Sequence, residues 1–246
     1  MKSFNENQLS ALEARVRVVA RVLDRFELVQ AWGHCSQRVD DEHFLVCAPK
    51  AMGMIEPYEN GTIVNIHDPL PKNVLGEVRI HQQLYKVRPE VGGVCRIMPP
   101  HVTALSSLGQ VPKPLYGVGA FNAYCKFWSD PRLLRDDSLA LQLANTMQDS
   151  PSLVMRGNGA VTVGCNVEMA ACFAWCLENS ARMNLLAHQF INNDEQIQFY
   201  NDEEISLRQV NSGSVFERLW EYLAKHDSEY DPNFELGDPI WGSVGD

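Results

Sequence analysis

The residues of this sequence best suited to chemistry are Glu77 and His81. They stand four apart in the periodic stretch Leu75 to Val87, so a carboxylate and an imidazole share one helix face, where both can move protons. The stretch continues through Pro89-Glu90-Val91-Gly92-Gly93 into an apolar run, Val91 to Met98, that reads as a buried strand and stops at Pro99-Pro100. Arg96 lies inside that run. A guanidinium in a core strand must be paired, because burying it alone costs several kcal/mol. A site is therefore expected between Leu75 and Leu108.

Other elements must hold that segment in place. Gln8 to Gln30 carries Leu9, Leu12, Val16, Val19, Leu23 and Phe26 at helical spacing. Short strands are predicted at His34 to Val39, Glu42 to Ala48 and Thr62 to Ile66, and a helix opens at Pro100 and runs to Ser107. Gly109 to Pro131 reads as loop with a strand about Lys113 to Val118, and part of Leu133 to Met147 reads as helix. Strands at Ser152 to Met155 and Ala160 to Val163 flank Arg156-Gly157-Asn158-Gly159, a turn whose glycines permit positive φ. Helices are predicted at Val167 to Gln189 and Val215 to Lys225. This order of elements gives an α/β protein, a mixed sheet sandwiched by helices. Residues 1–225 form a single domain in this reading, and 226–246, with Pro232, Pro239 and Trp241 and no periodicity, form an extended tail that orders only by docking on a partner.

Composition narrows the function. The chain has 246 residues, 45% of them hydrophobic, enough for a large core. Its net charge of −10, with no Lys/Arg cluster, excludes a nucleic-acid or anionic-membrane surface. No apolar stretch is long enough to span a bilayer and the N-terminus turns directly into an amphipathic pattern, so a cytoplasmic protein is expected. The seven cysteines are scattered without a C-x-x-C pair, which fits buried hydrophobes better than disulfides or metal ligands.

Five segments occur in order: GHCSQR (Gly33 to Arg38), LVCAPKAMG (Leu45 to Gly53), GEVRIHQQLYKVRPEVGGV (Gly76 to Val94), PPHVTALSSLG (Pro99 to Gly109) and VMRGNGAVTVGCNVEMA (Val154 to Ala170). Together they resemble the class II aldolase and adducin head-domain family over residues 8 to 225. The resemblance implies a three-layer sandwich with a central, mainly antiparallel sheet flanked by helices, and a homotetramer with sites at subunit interfaces. It also implies a zinc ion held by three histidines, but those positions here are Arg96, Met98 and Asn158. Arg has no lone pair, a thioether is weak, and an amide oxygen is a poor zinc ligand, so no metal or other cofactor is expected.

Glu77 matches the family's acid/base. Arg96 stands where zinc would stabilise an enolate-like anion, a place where fixed positive charge can do the same, and His101 lies beside the site. These three are the candidate catalytic residues. His34 and Ser36 fall in the family's phosphate loop, and Lys50 in a loop where a serine is usual and could meet a carboxylate. With His81, Met98, Tyr124 and Asn158 they are the candidate substrate contacts. The expected function is a metal-independent lyase that breaks a carbon–carbon bond, by retro-aldol or decarboxylation chemistry, in a small non-phosphorylated hydroxy or carbonyl acid, aromatic acids included. An isomerase or epimerase would use the same residues. A non-catalytic, adducin-like binding protein is the reading from another class.

Overall fold

The structure, a computed structural model, describes residues 6–190 and 197–241. Residues 1–5 of the expected domain and 242–246 of the expected tail lie outside the described residues. Among the described residues seven strands form one sheet: β1 (His34–Arg38), β2 (His43–Val46), β3 (Thr62–Asn65), β4 (Gly93–Ile97), β5 (Lys126–Trp128), β6 (Ser152–Met155) and β7 (Ala160–Gly164), in the order β3-β2-β1-β4-β7-β6-β5. Every pairing is antiparallel except β5 with β6, so the sheet is mixed. β1 and β4 are the inner pair that matters for function, and their register sets His34 opposite Arg96.

Helices cover both faces. Cys35 and Cys95 point to the face beneath α1 (Glu6–Arg25) and α5 (Val167–His188), where their thiols meet the carbonyls of Val16 and Val167. Alternation along β1 sends His34 and Ser36 to the opposite face, which α2 (Val78–Val87) covers with α4 (Asp137–Met147) packed beside it. α3 is Pro100–Ser107, and α7 (Val215–Ala224) lies against α1 and α5. The continuous apolar core runs from Val16 to Leu236.

Four expectations change. α1 closes at Arg25, before Gln30, because Glu27 takes a left-handed conformation (φ 58°) and Leu28 N–H turns back to the Leu23 carbonyl. No strand forms at Lys113 to Val118. Pro112 and Pro114 lack ladder donors, and the Asn184 side chain occupies both the N–H and the carbonyl of Lys113; the edge strand lies instead at Lys126–Trp128. An unexpected α6 (Asp202–Arg208) starts with a capping box between Asn201 and Glu204. Residues 226–241 hold no helix or strand, yet they dock on their own chain. Asp227 and Glu229 pair with Arg21 and Arg17 at 2.6 and 2.7 Å, Leu236 is buried, and the Trp241 ring packs on Phe121, Phe173 and Phe216.

Candidate active site

α2 and the β1–β4 pair bring the chemistry together. His81 and Tyr85, four apart, both face the sheet and are buried, and Glu77 stands at the first residue before α2. The Glu77 side chain does not cap its own helix. One oxygen accepts the Leu134 N–H at 3.1 Å, and the other meets Arg96 Nη2 at 3.3 Å. Arg96 is only 3% exposed. Its Nη1 donates to the Ile97 carbonyl at 2.7 Å and its Nη2 to Asn158 Oδ1 at 2.8 Å. Asn158 reaches it because Gly159, at φ 67°, lets the β6–β7 turn close on β4; a Cβ there would lie 2.0 Å from the Ile97 carbonyl.

Two donors in this cluster, Arg96 Nε and Asn158 Nδ2, are buried without an acceptor. Such groups are rare in native structures and call for explanation. The cluster holds more donors than acceptors, a bias toward an anionic or oxygen-rich ligand.

A cavity of about 240 Å³ opens beside it. Its walls include Trp32, His34, Pro49, Lys50, Leu75, Glu77, Arg96, Leu133 and Arg135. Three cations therefore face one carboxylate, a local excess of positive charge in a chain of net charge −10. Lys50 is neutralised in part by Glu59 at 2.9 Å, while Arg135 is exposed and carries no ion pair among the described residues. A second cavity, of about 200 Å³, lies between α1 and the C-terminal segment, but its charges are committed: Arg15 grips the buried Glu168 with two hydrogen bonds. The first cavity is the candidate active site.

Behind its wall runs a buried chain of hydrogen bonds. His34 Nδ1 lies 2.7 Å from His81 Nε2, His81 Nδ1 lies 2.6 Å from Ser36 Oγ, and Ser36 Oγ lies 2.9 Å from the Tyr85 hydroxyl. Burial and the Arg96 charge push His81 down to about 3. Burial foremost, with His81 and Arg96, holds His34 well below the usual imidazole range. Both imidazoles are neutral at physiological pH.

Of the sequence candidates, Glu77, Arg96, Asn158, His34, Ser36 and His81 thus meet in one connected cluster, with Lys50 on the cavity wall. Met98, His101 and Tyr124 do not line the cavity. His101 sits at the start of α3, where its Nδ1 meets Glu178 of α5 at 2.6 Å. Tyr124 lies between the loop that replaced the expected strand and β5. Tyr85 and Arg135 are the residues that sequence reasoning missed. Tyr85 had a signal, its i+4 spacing from His81; Arg135 had none.

The zinc that the fold suggests does not fit this donor set. Arg96 has no lone pair to give, Asn158 Oδ1 already accepts from Arg96, and both His81 nitrogens are engaged inside the wall. Among the described residues no group of three or more His, Cys, Asp or Glu side chains is placed to hold a metal ion.

A helix-covered sheet of this order, with an acid at a helix start facing the end of an inner strand, defines a class II aldolase-type fold, here with a cavity lined by three cations and one carboxylate. The chain belongs to the family described as Class II Aldolase and Adducin N-terminal domain, which matches residues 14–185. Among curated proteins it is 29% identical over 198 residues to a 3,4-dihydroxyphthalate decarboxylase of Terrabacter sp., covering 73% of this chain and 80% of that one. It is 30% identical over 117 residues to the protein of the same name from Arthrobacter keyseri, covering 44% and 46%. Solved structures agree on the fold. An aldolase II superfamily protein from Pseudomonas syringae superposes with a TM-score of 0.75 at 21% identity, over 89% of this chain and 94% of that one. L-fuculose 1-phosphate aldolase from Glaciozyma antarctica superposes at 0.71 and 20% identity, over 91% and 93%. No helix among the described residues is long and apolar enough to cross a membrane.

Proposed function

We propose that this protein is a lyase that decarboxylates a small aromatic acid of the 3,4-dihydroxyphthalate type, without a metal at the family's ligand positions. The observation that carries the reading is the buried Arg96, held by Glu77 and Asn158 on the wall of a cavity with excess positive charge. The names of the curated relatives point to the same chemistry. In the reaction the hydroxyl beside the departing carboxylate gives up its proton and becomes a carbonyl as a proton adds to the ring carbon that bears that carboxylate. The carbon–carboxylate bond then breaks, CO2 leaves, and its electron pair restores the aromatic ring and returns negative charge to the hydroxyl oxygen, which takes up a proton. Arg96 supplies fixed positive charge where the anion develops, preorganised and shielded from water. Glu77, one oxygen of which is anchored by Leu134 N–H, passes the proton between solvent and ring. Lys50 and Arg135 draw the anionic substrate to the cavity mouth.

The test is turnover of 3,4-dihydroxyphthalate by the purified chain, read as CO2 release and product formation, with and without EDTA and with elemental analysis for bound metal. CO2 release that survives EDTA is the expected result. No release from this or any related aromatic ortho-dicarboxylate refutes the substrate class, and release only after zinc or manganese is added refutes the metal-free part.

A further inference from the structure

The four-residue chain behind the cavity is larger than a pocket wall requires. It links His34, Ser36, His81 and Tyr85, each buried, with consecutive separations of 2.7, 2.6 and 2.9 Å. One end is tied down: the Tyr85 hydroxyl also lies 3.1 Å from the Ser36 carbonyl. The other end is open, because His34 is on the cavity wall and its Nε2 has no hydrogen-bond partner among the described residues.

The hydrogens of such a chain have two self-consistent arrangements. In one, Tyr85 donates to Ser36 Oγ, Ser36 to His81 Nδ1 and His81 Nε2–H to His34 Nδ1, so that His34 Nε2 carries a hydrogen and donates into the cavity. In the other, Tyr85 donates to the Ser36 carbonyl, Ser36 Oγ–H to the Tyr85 oxygen, His81 Nδ1–H to Ser36 Oγ and His34 Nδ1–H to His81 Nε2. His34 Nε2 is then a bare acceptor. Tyr85 has an acceptor within reach in both. Both arrangements contain the same number of hydrogens and no charge, which suits a pair of imidazoles beside a buried guanidinium.

We propose that His34 is a further substrate-contacting residue, whose Nε2 takes a hydroxyl oxygen next to the substrate carboxylate, and that Tyr85, through Ser36 and His81, is a positioning residue that fixes its tautomer. The placement fits: His34 and Arg96 are cross-strand partners on one face of the sheet, so a ligand whose carboxylate lies at Arg96 carries its neighbouring group past His34. The site therefore selects hydroxy acids over plain acids. A neutral group is what discriminates here, because the cations would hold any carboxylate, and only a hydrogen-bonding partner distinguishes an acid with a hydroxyl from one without. This rests on the reading of the cavity as a carboxylate site.

Calorimetric titration of the full chain with phthalate and with 3-hydroxyphthalate, which differ by one hydroxyl beside a carboxylate, tests it. Wild type binds the hydroxy acid about tenfold more tightly, the range of one well-placed neutral hydrogen bond. His34→Ala abolishes that preference and leaves phthalate affinity within about twofold, and the phthalate titration shows that the variant is folded. Tyr85→Phe keeps phthalate affinity and weakens the preference, and 15N spectra of its labelled histidines show the tautomer populations of His34 and His81 changed from those of wild type. Equal binding of the two acids by wild type, or a preference that persists in His34→Ala, overturns the proposal while leaving the carboxylate reading intact. Equal loss of both ligands in His34→Ala makes His34 structural and also overturns it. If wild type binds neither acid, the carboxylate reading itself is what has failed.

Discussion

Replacing Glu77 by Gln isolates the charge of the carboxylate from its shape. The amide oxygen can accept from Leu134 N–H or from Arg96, but not from both, and its NH2 is then turned toward another donor. At 3.3 Å the Coulomb attraction lost is about 5 kcal/mol at an effective dielectric constant near 20. Part of it is offset, since an ionised Glu77 regains hydration on unfolding and Arg96 keeps the Ile97 carbonyl and Asn158 Oδ1. The net expectation is about 2–3 kcal/mol of lost stability, a fall in Tm of roughly 5–10 °C for a chain of this size. Decarboxylation should fall by about 10²–10⁴ in kcat, the usual worth of a positioned proton donor. Thermal unfolding and turnover assays on the same preparation read both quantities. A double-mutant cycle adds a control, because Glu77→Gln with Arg96→Met removes both ends of the pair and should be less destabilised than the sum of the singles. A Glu77→Gln protein with unchanged Tm and kcat within threefold of wild type would refute both the pairing and the proton-transfer role.

Two further outcomes follow from the structure. Because the folded pKa of His81 lies near 3, below its unfolded value near 6.5, the unfolded chain takes up its proton first as pH falls; stability is full above about pH 6.5 and drains away down to about pH 3. At pH 5 the loss from His81 alone is about 2 kcal/mol, visible as a lower urea midpoint, and His81→Gln should flatten the profile between pH 7 and 5; an equally steep profile in that variant would assign the slope elsewhere. Truncation after Phe234 removes Leu236, whose carbonyl accepts from Asn166, and Trp241 with its three ring contacts. It should cost about 3 kcal/mol or more of stability, and an unchanged unfolding midpoint would mean that the segment belongs on another chain.

The docking of that segment shows where sequence reading ran out. Its partners, Arg17, Arg21, Phe173 and Phe216, are more than ten residues distant in sequence, and a stretch with two prolines and no period has no local signal for them. The missed α6 is a different case: Asn201 and Glu204 are three apart, the spacing of a capping box, so the signal was present. The absent strand at Lys113 to Val118 was also foreshadowed by Pro112 and Pro114, although the decisive bonds come from Asn184, about seventy residues away.

The sequence by itself determined the helix that carries His81 and Tyr85, with Glu77 at its start, and the strand that carries Arg96. These follow from residue type and from periods of two and 3.6, which are local properties. Only the tertiary structure decided which of those residues meet. The β1–β4 register set His34 opposite Arg96, the Gly159 turn brought Asn158 across 62 residues of chain, and α2 lowered His81 onto Ser36. Tertiary packing also left His101 with Glu178 and outside the cavity wall. The physical reason is that hydrogen bonds and ion pairs form only within about 3–4 Å, and closing such distances between residues far apart in the chain depends on the packing of the whole core.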